Sequence, residues 1–158
     1  MSNFNESSLS SISTMNKEDF DLKLVVLCKS LVDKSALTFR FINSQEHDTT
    51  IEDQYKTAIN IDGYQVKLKI LDTAGQDDYQ SMLETWINYG AGFLLVYSID
   101  DMESFNGDKK KYDKLELIKG KDIHSCIIVG NKCDLGNNIR KVSKSMGKSL
   151  QKVKMSHF

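Results

Sequence analysis

Proline is missing from all 158 residues. No X–Pro isomer and no proline-stiffened linker therefore enters the fold. Cysteine is scarce: Cys28, Cys126 and Cys133 are the only three, and no two are spaced as CxxC. That pattern argues against a disulfide framework and reads as reduced thiols of an intracellular protein. Long apolar runs are absent, so no segment is predicted to span a membrane, and no signal peptide is visible. A net charge of −1 leaves no excess of either sign to name a partner, and nothing points to nucleic acid. Ser2 stands where N-myristoylation needs glycine, and no cysteine follows Cys133, so neither lipid signal is expected. Acidic residues stop at Asp134, which leaves a tail whose charges are Arg140, Lys141, Lys144, Lys148, Lys152 and Lys154.

What is present is ordinary in bulk. The chain is 40% hydrophobic and 27% charged, enough for one soluble domain with its own core. Residues 1–20 are Ser- and Asn-rich and predict a disordered extension; residues 21–158 form the domain. Leu22–Cys28 is almost continuously apolar and predicts a central parallel strand. Tyr55–Ile61 and Val66–Leu71 predict a hairpin turned at Asp62-Gly63, a pair that tolerates positive φ. Gly92–Ile99 and Cys126–Gly130 predict two further buried strands. Helices are expected from Ser35 to Asn43 with Leu37, Phe41 and Ile42 toward the sheet, and from Gln76 to Tyr89 with Met82, Leu83, Trp86 and Ile87 as its apolar stripe. A third runs from Asp101 to Ile118, with Lys109–Lys114 as a solvated charged stretch. A fourth carries Val142, Met146, Leu150 and Val153 on one face.

Two strand ends carry chemistry. The strand Val66–Leu71 runs into Asp72-Thr73-Ala74-Gly75-Gln76. A carboxylate there can hold Mg²⁺ through water, a glycine N–H can approach a phosphate, and a glutamine can orient an attacking water. The strand from Cys126 runs into Asn131-Lys132-Cys133-Asp134. The Asp134 carboxylate can accept from guanine N1–H and the 2-amino group, a donor pair that adenine lacks. The stem of Lys132 can lie over the base, and Asn131 can tie the loop to neighbouring segments. Between Leu27 and Lys34-Ser35 the spacing is that of a Walker A loop, GxxxxGK[ST], whose glycines turn backbone N–H groups onto phosphates. Cys28 and Asp33 occupy the two glycine places. Holding a non-glycine residue left-handed costs roughly 1–2 kcal/mol, and the Asp33 charge is of the phosphates' own sign.

Together these motifs resemble the Ras family of small GTPases from about Asp21 onward. Lys23–Leu27, Lys34–Thr38, Thr50-Ile51-Glu52-Asp53-Gln54-Tyr55, DTAGQ, Gly92–Ser98 and GNKCD stand in the family's order. The resemblance implies an α/β Ras-like P-loop NTPase fold: a mostly parallel sheet with one antiparallel hairpin strand, here without the family's last strand and last helix. One face of Leu22–Cys28 and Val66–Leu71 is therefore expected to be partly uncovered. By the same resemblance Lys34 contacts the β- and γ-phosphates. Ser35, Thr50 and, through water, Asp72 hold Mg²⁺, the Gly75 N–H meets the γ-phosphate, and Gln76 orients the water as the catalytic residue. Asn131, Lys132 and Asp134 read guanine. The loop before Thr50 is shorter than usual, Thr49 takes the place of a customary proline, and no aromatic counterpart for stacking on guanine is evident.

The implied function is a GTP/GDP switch in signal transduction, with Mg²⁺ and slow GTP hydrolysis, weakened by the altered phosphate loop. The other reading is a pseudo-GTPase, a binding module that engages effectors without a nucleotide cycle. Implied partners are effector proteins at Thr50–Tyr55, an exchange factor and a GTPase-activating protein. The expected location is the cytoplasm, with weak, salt-sensitive contact at the plasma membrane.

Overall fold

The computed structural model describes residues 20–29, 32–43, 47–51, 54–73, 80–120, 125–136 and 138–152. In chain order the elements are β1 (Phe20–Cys28), α1 (Lys34–Asn43), β2 (His47–Ile51), β3 (Gln54–Ile61), β4 (Tyr64–Asp72), α2 (Gln80–Tyr89), β5 (Gly92–Ser98), α3 (Met102–Lys119), β6 (Cys126–Asn131) and α4 (Lys144–Lys152). A short 3₁₀ turn, Cys133–Leu135, follows β6. The predicted extension, residues 1–20, lies outside the described residues except for Phe20 at the head of β1.

The strands form one 6-stranded sheet in the order β2-β3-β4-β1-β5-β6. β3 opposes both of its neighbours, while β4, β1, β5 and β6 pair in parallel. This is the expected α/β sheet with one antiparallel hairpin strand. The hairpin turns at Asp62 (φ 51°) and Gly63 (φ 85°), both left-handed, and the Gly63 N–H donates to Asn60 Oδ1 at 3.0 Å. Such a turn twists in the same sense as its strands.

Helices cover both faces. On one, β1 contributes Val25 and Leu27, β5 contributes Phe93 and Leu95, and α2 and α3 close over them with Ile87, Tyr112 and Leu115. On the other, Val26, Cys28, Leu68, Ile70 and Val96 pack against Ile42 and Leu37 of α1. α4 joins the first side, its Met146 and Leu150 lying against Tyr97, Ile99 and Phe105 around the buried Val142. α3 starts on an Asp101 cap that accepts the Glu103 N–H at 2.9 Å, and stops at Gly120.

Several expectations change in three dimensions. Phe41 is exposed rather than facing the sheet, because Thr38 and Ile42, one turn apart, take the inward face of α1. Met82 is exposed too, while Ile87 is fully buried. Lys109–Lys114 is not wholly solvated, since Tyr112 within it belongs to the core. Of the face expected to be uncovered, Leu22 at the start of β1 is 42% exposed, whereas Val26 and Cys28 of β1 and Val66, Leu68 and Ile70 of β4 are buried. The proximity of α1 to β4 supplies that cover.

Candidate functional site

In a parallel sheet, loops that leave the C-terminal strand ends meet at one rim, and ligands bind there. β1, β4 and β6 deliver their motifs to that rim. The Asp72 and Val26 backbones are register partners. Just beyond, the Thr73 N–H and hydroxyl both donate to Val26 O, at 3.3 and 2.9 Å. The exit of β4 is thereby fastened to β1 directly before the phosphate loop.

At the head of α1 the Lys34 ammonium lies 2.9 Å from Asp72 Oδ1 and 3.3 Å from Ser35 Oγ. Asp72 is only 3% exposed, and the ammonium is the partner of its otherwise unbonded Oδ1. An ammonium, a hydroxyl and a carboxylate thus converge where the first N–H groups of a helix also point.

The two lost glycines turn out to be unlike each other. Cys28 ends β1 with no left-handed backbone, and its side chain enters the core beside Val32 and Ile42. Burial pushes that thiol up to about 12. This side chain therefore points into the protein. Asp33 does adopt the glycine conformation, at φ 56°, so the strain falls on this one residue of the pair. Its carboxylate is exposed and sits 3.4 Å from Lys132 Nζ. Lys132 is itself left-handed, at φ 63°. Two strained residues, one from each loop, therefore face each other as an ion pair.

Asn131 performs the tie read from its motif: Nδ2 donates to Val32 O at 2.8 Å, joining the base loop to the phosphate loop. Asp134 sits in the 3₁₀ turn with its carboxylate exposed. Thr50 lies in β2, the outer strand of the sheet beyond β3, where Ile51 pairs with Gln54 across a register shift. Gly75, Gln76, Glu52 and Asp53 lie outside the described residues.

The oxygen donors fit a hard cation such as Mg²⁺. Buried Asp72 has an oxygen satisfied only by an ammonium that a phosphate would draw away, and the Ser35 hydroxyl is beside it. The set lacks enough carboxylates to hold the ion by itself: no group of three or more His, Cys, Asp or Glu gathers among the described residues. It suits an ion that arrives with phosphates.

Sequence reasoning missed the Asp33–Lys132 pair, since neither motif predicts the other's geometry. It also missed Asp108, which is fully buried in α3 with both carboxylate oxygens unbonded. Lys111 approaches only to 3.8 Å, and burial raises the carboxyl to about 7. A signal was present: Ser104, Asp108 and Tyr112 are spaced by full helical steps on the inward stripe of α3.

A family profile described as Ras family matches residues 23–158. Ras-related protein R-Ras of Mus musculus is 43% identical over 131 residues, which is 81% of this chain and 60% of that protein. Its Homo sapiens counterpart is 43% identical over 126 residues, 78% of this chain and 57% of that protein. The chain thus spans less than two thirds of the length of either relative.

Proposed function

Because this chain belongs to the Ras family, we propose that it is a guanine-nucleotide-binding switch protein of signal transduction whose nucleotide affinity is reduced. The observation that carries this reading is the convergence of Lys34, Ser35 and Asp72 at the head of α1, with Asn131 tying the base loop to the same place. Lys34 holds the phosphates and Asp134 accepts from guanine. Lys132 covers the base once its bond to Asp33 is exchanged. Ser35, Thr50 and Asp72 hold Mg²⁺, which supplies charge neutralisation for the phosphates when bound. Gln76 orients the hydrolytic water and the Gly75 N–H faces the γ-phosphate. Slow hydrolysis is the expected rate class for such a site.

The second reading is an effector-binding module without a nucleotide cycle, and the Asp33–Lys132 pair favours it. That pair places a carboxylate at the phosphate loop and engages the lysine meant for guanine. In either reading Thr50–Tyr55 is the face for effectors, and β2 is the outer strand there among the described residues. An exchange factor and a GTPase-activating protein accompany the first reading alone. No helix among the described residues is long and apolar enough to cross a membrane; the basic α4 is assigned weak, salt-sensitive contact with anionic lipid and the protein a cytoplasmic location.

Titration of the chain with a fluorescent GDP separates the two readings. The switch reading expects saturable binding about 10³-fold weaker than in an intact relative, a factor equivalent to about 4 kcal/mol. Asp33→Gly should tighten it about tenfold by removing left-handed strain and a like charge. Asp134→Ala should weaken GDP and leave ATP unchanged. Absence of saturable binding in both the natural chain and Asp33→Gly rejects the switch in favour of the module.

A further inference from the structure

The run Val66-Lys67-Leu68-Lys69-Ile70 alternates strictly, and β4 is an interior strand, bonded to both β3 and β1. Its apolar members are buried, Leu68 and Ile70 in the cluster beneath α1. Lys67 and Lys69 therefore stand on the opposite side of the sheet, the one that carries α2 and α3. Register extends this surface. Lys23, Lys69 and Lys56 are direct partners on β1, β4 and β3, and Asp21, Lys67 and Ala58 form the neighbouring row. Directly paired residues share a face. Lys23, Lys56 and Lys67 are exposed, and Lys69 is half-buried. Four lysines and one aspartate are thus the charges that β1, β4 and β3 present on this side, in a chain whose net charge is −1. On the next strand, β2, register sets Asp48 opposite Lys56.

Two ordinary explanations fall short. Lysines guard edge strands against unwanted pairing, but β4 and β1 are interior strands with no free edge. The antiparallel pair of β3 and β4 can leave one face to water, and opposite charges across its strands would then stabilise it. Here like charges oppose each other on three adjacent strands, which destabilises a sheet. Relief within the chain is local. The Lys69 ammonium donates to Asp21 Oδ2 at 2.8 Å, and that bond holds the Asp21 carboxyl below its ordinary value. The Lys23 ammonium lies 4.7 Å from the centre of the Tyr89 ring, at the end of α2. The surface faces away from α1, and β6 is three strands from β4, so it is independent of any segment placed beside β6 or against α1.

We propose that this lysine face of β1, β4 and β3, beside α2, docks an acidic peptide segment of a partner protein. The segment lies along β4 with carboxylates at alternate positions. Alternate side chains of an extended chain repeat at about 6.8 Å, the repeat that also separates Lys67 from Lys69. Lys23 and Lys56 flank them on strands about 4.8 Å to either side, within reach of the same carboxylates. Charge and shape decide among occupants. A second copy would set lysine against lysine. A flat anionic membrane is held off by α2, which stands on this side of the sheet and is about 10 Å thick, close to a Debye length at about 0.1 M salt. A single peptide segment enters beside the helix. The face is opposite in sign to the adjoining Thr50–Tyr55, which carries Glu52 and Asp53. The proposal stands whether or not the phosphate loop holds nucleotide.

The test uses the full chain and a short blocked peptide alternating glutamate and threonine, labelled with fluorescein, with anisotropy and amide chemical shifts as readouts. The expected dissociation constant is on the order of 100 μM at low salt, rising with ionic strength. Shifts should gather in β4 around Lys67 and Lys69 and in β3 around Lys56, and spare α1 and α4. This locates the site without altering the protein. Lys56→Glu with Lys67→Glu should weaken binding at least about tenfold. Lys109→Glu with Lys110→Glu, exposed on α3, changes the net charge equally and should leave affinity within about twofold. Four results would each overturn the proposal. They are equal binding of a lysine–threonine peptide, the same loss in both double variants, shifts that gather away from β3 and β4, and binding to phosphatidylserine vesicles with none to the peptide.

Discussion

The two faces of β1 are built from the same kind of residue and are covered to different extents. Val25 and Leu27 lie under α2 and α3 and are sealed, whereas Leu22 on the other face is 42% exposed and Ile127, on that side of β6 in register with Leu94 and Val26, is 57% exposed. The difference is cover. Each sealed residue touches both a helix and the neighbouring strands, while α1 closes the other face over β4 and the C-terminal half of β1. Apolar character therefore says which side chains seek burial, and the helix overhead says which of them achieve it.

That contrast can be tested where it is strongest. Asp108 is a defect on the sealed face, a carboxyl that titrates near 7 when folded against 3.8 for its ordinary value. The folded chain keeps this proton longer than the unfolded chain does. Stability should accordingly fall as pH rises from about 4 to about 7 and level off above, by about 4 kcal/mol at 1.36 kcal/mol per unit. Asp108→Val should remove this slope, and urea melts at about pH 5.5 and about pH 8.5 should show its largest gain at the higher value. An unchanged slope in the variant would mean that the carboxyl is satisfied in solution.

A smaller loss is expected from Leu27→Ala, about 3 kcal/mol for a sealed side chain with no room to collapse, read as a shift in urea midpoint at unchanged slope. Gly130→Ala should cost about 2 kcal/mol, since the added methyl meets the Tyr97 ring, a rigid group held on the sealed side. The Gly130→Ala/Tyr97→Leu pair should recover part of that loss. The least effect belongs to the uncovered face: Ile127→Thr should change stability by no more than about 0.5 kcal/mol. A loss comparable to that of Leu27→Ala would show that Ile127 is covered in solution.

Much of the fold was legible because its signals are local. The alternation of Val66–Leu71, the Asp62-Gly63 pair and the apolar run of Leu22–Cys28 each reflect a few consecutive residues, and each formed the expected element. The role of Asn131 as a tie was legible as well, although its acceptor, Val32 O, lies 99 residues away. The short strand β2 was less legible, since among the described residues it pairs with β3 alone and an irregularity interrupts the pairing. Phe41 was misread because helical spacing alone offers several inward faces, and contact with β4 selects the one carrying Thr38 and Ile42. Gly75 and Gln76, the residues expected to serve the γ-phosphate and water, fall outside the described residues.

The sequence by itself determined the order of elements, the positions of Lys34, Asp72 and Asn131 at strand and helix ends, and the loss of both phosphate-loop glycines. Those follow from periodicity, from side-chain chemistry and from the bare fact that only glycine lacks a Cβ. Tertiary structure alone decided what the losses mean. It turned Cys28 into the core, left Asp33 left-handed against Lys132, and buried Asp108 with no hydrogen bond to its carboxylate and Lys111 at 3.8 Å. Each of these depends on which distant segment comes to lie alongside, and that is set by packing of the whole sheet and its helices, which no local pattern encodes.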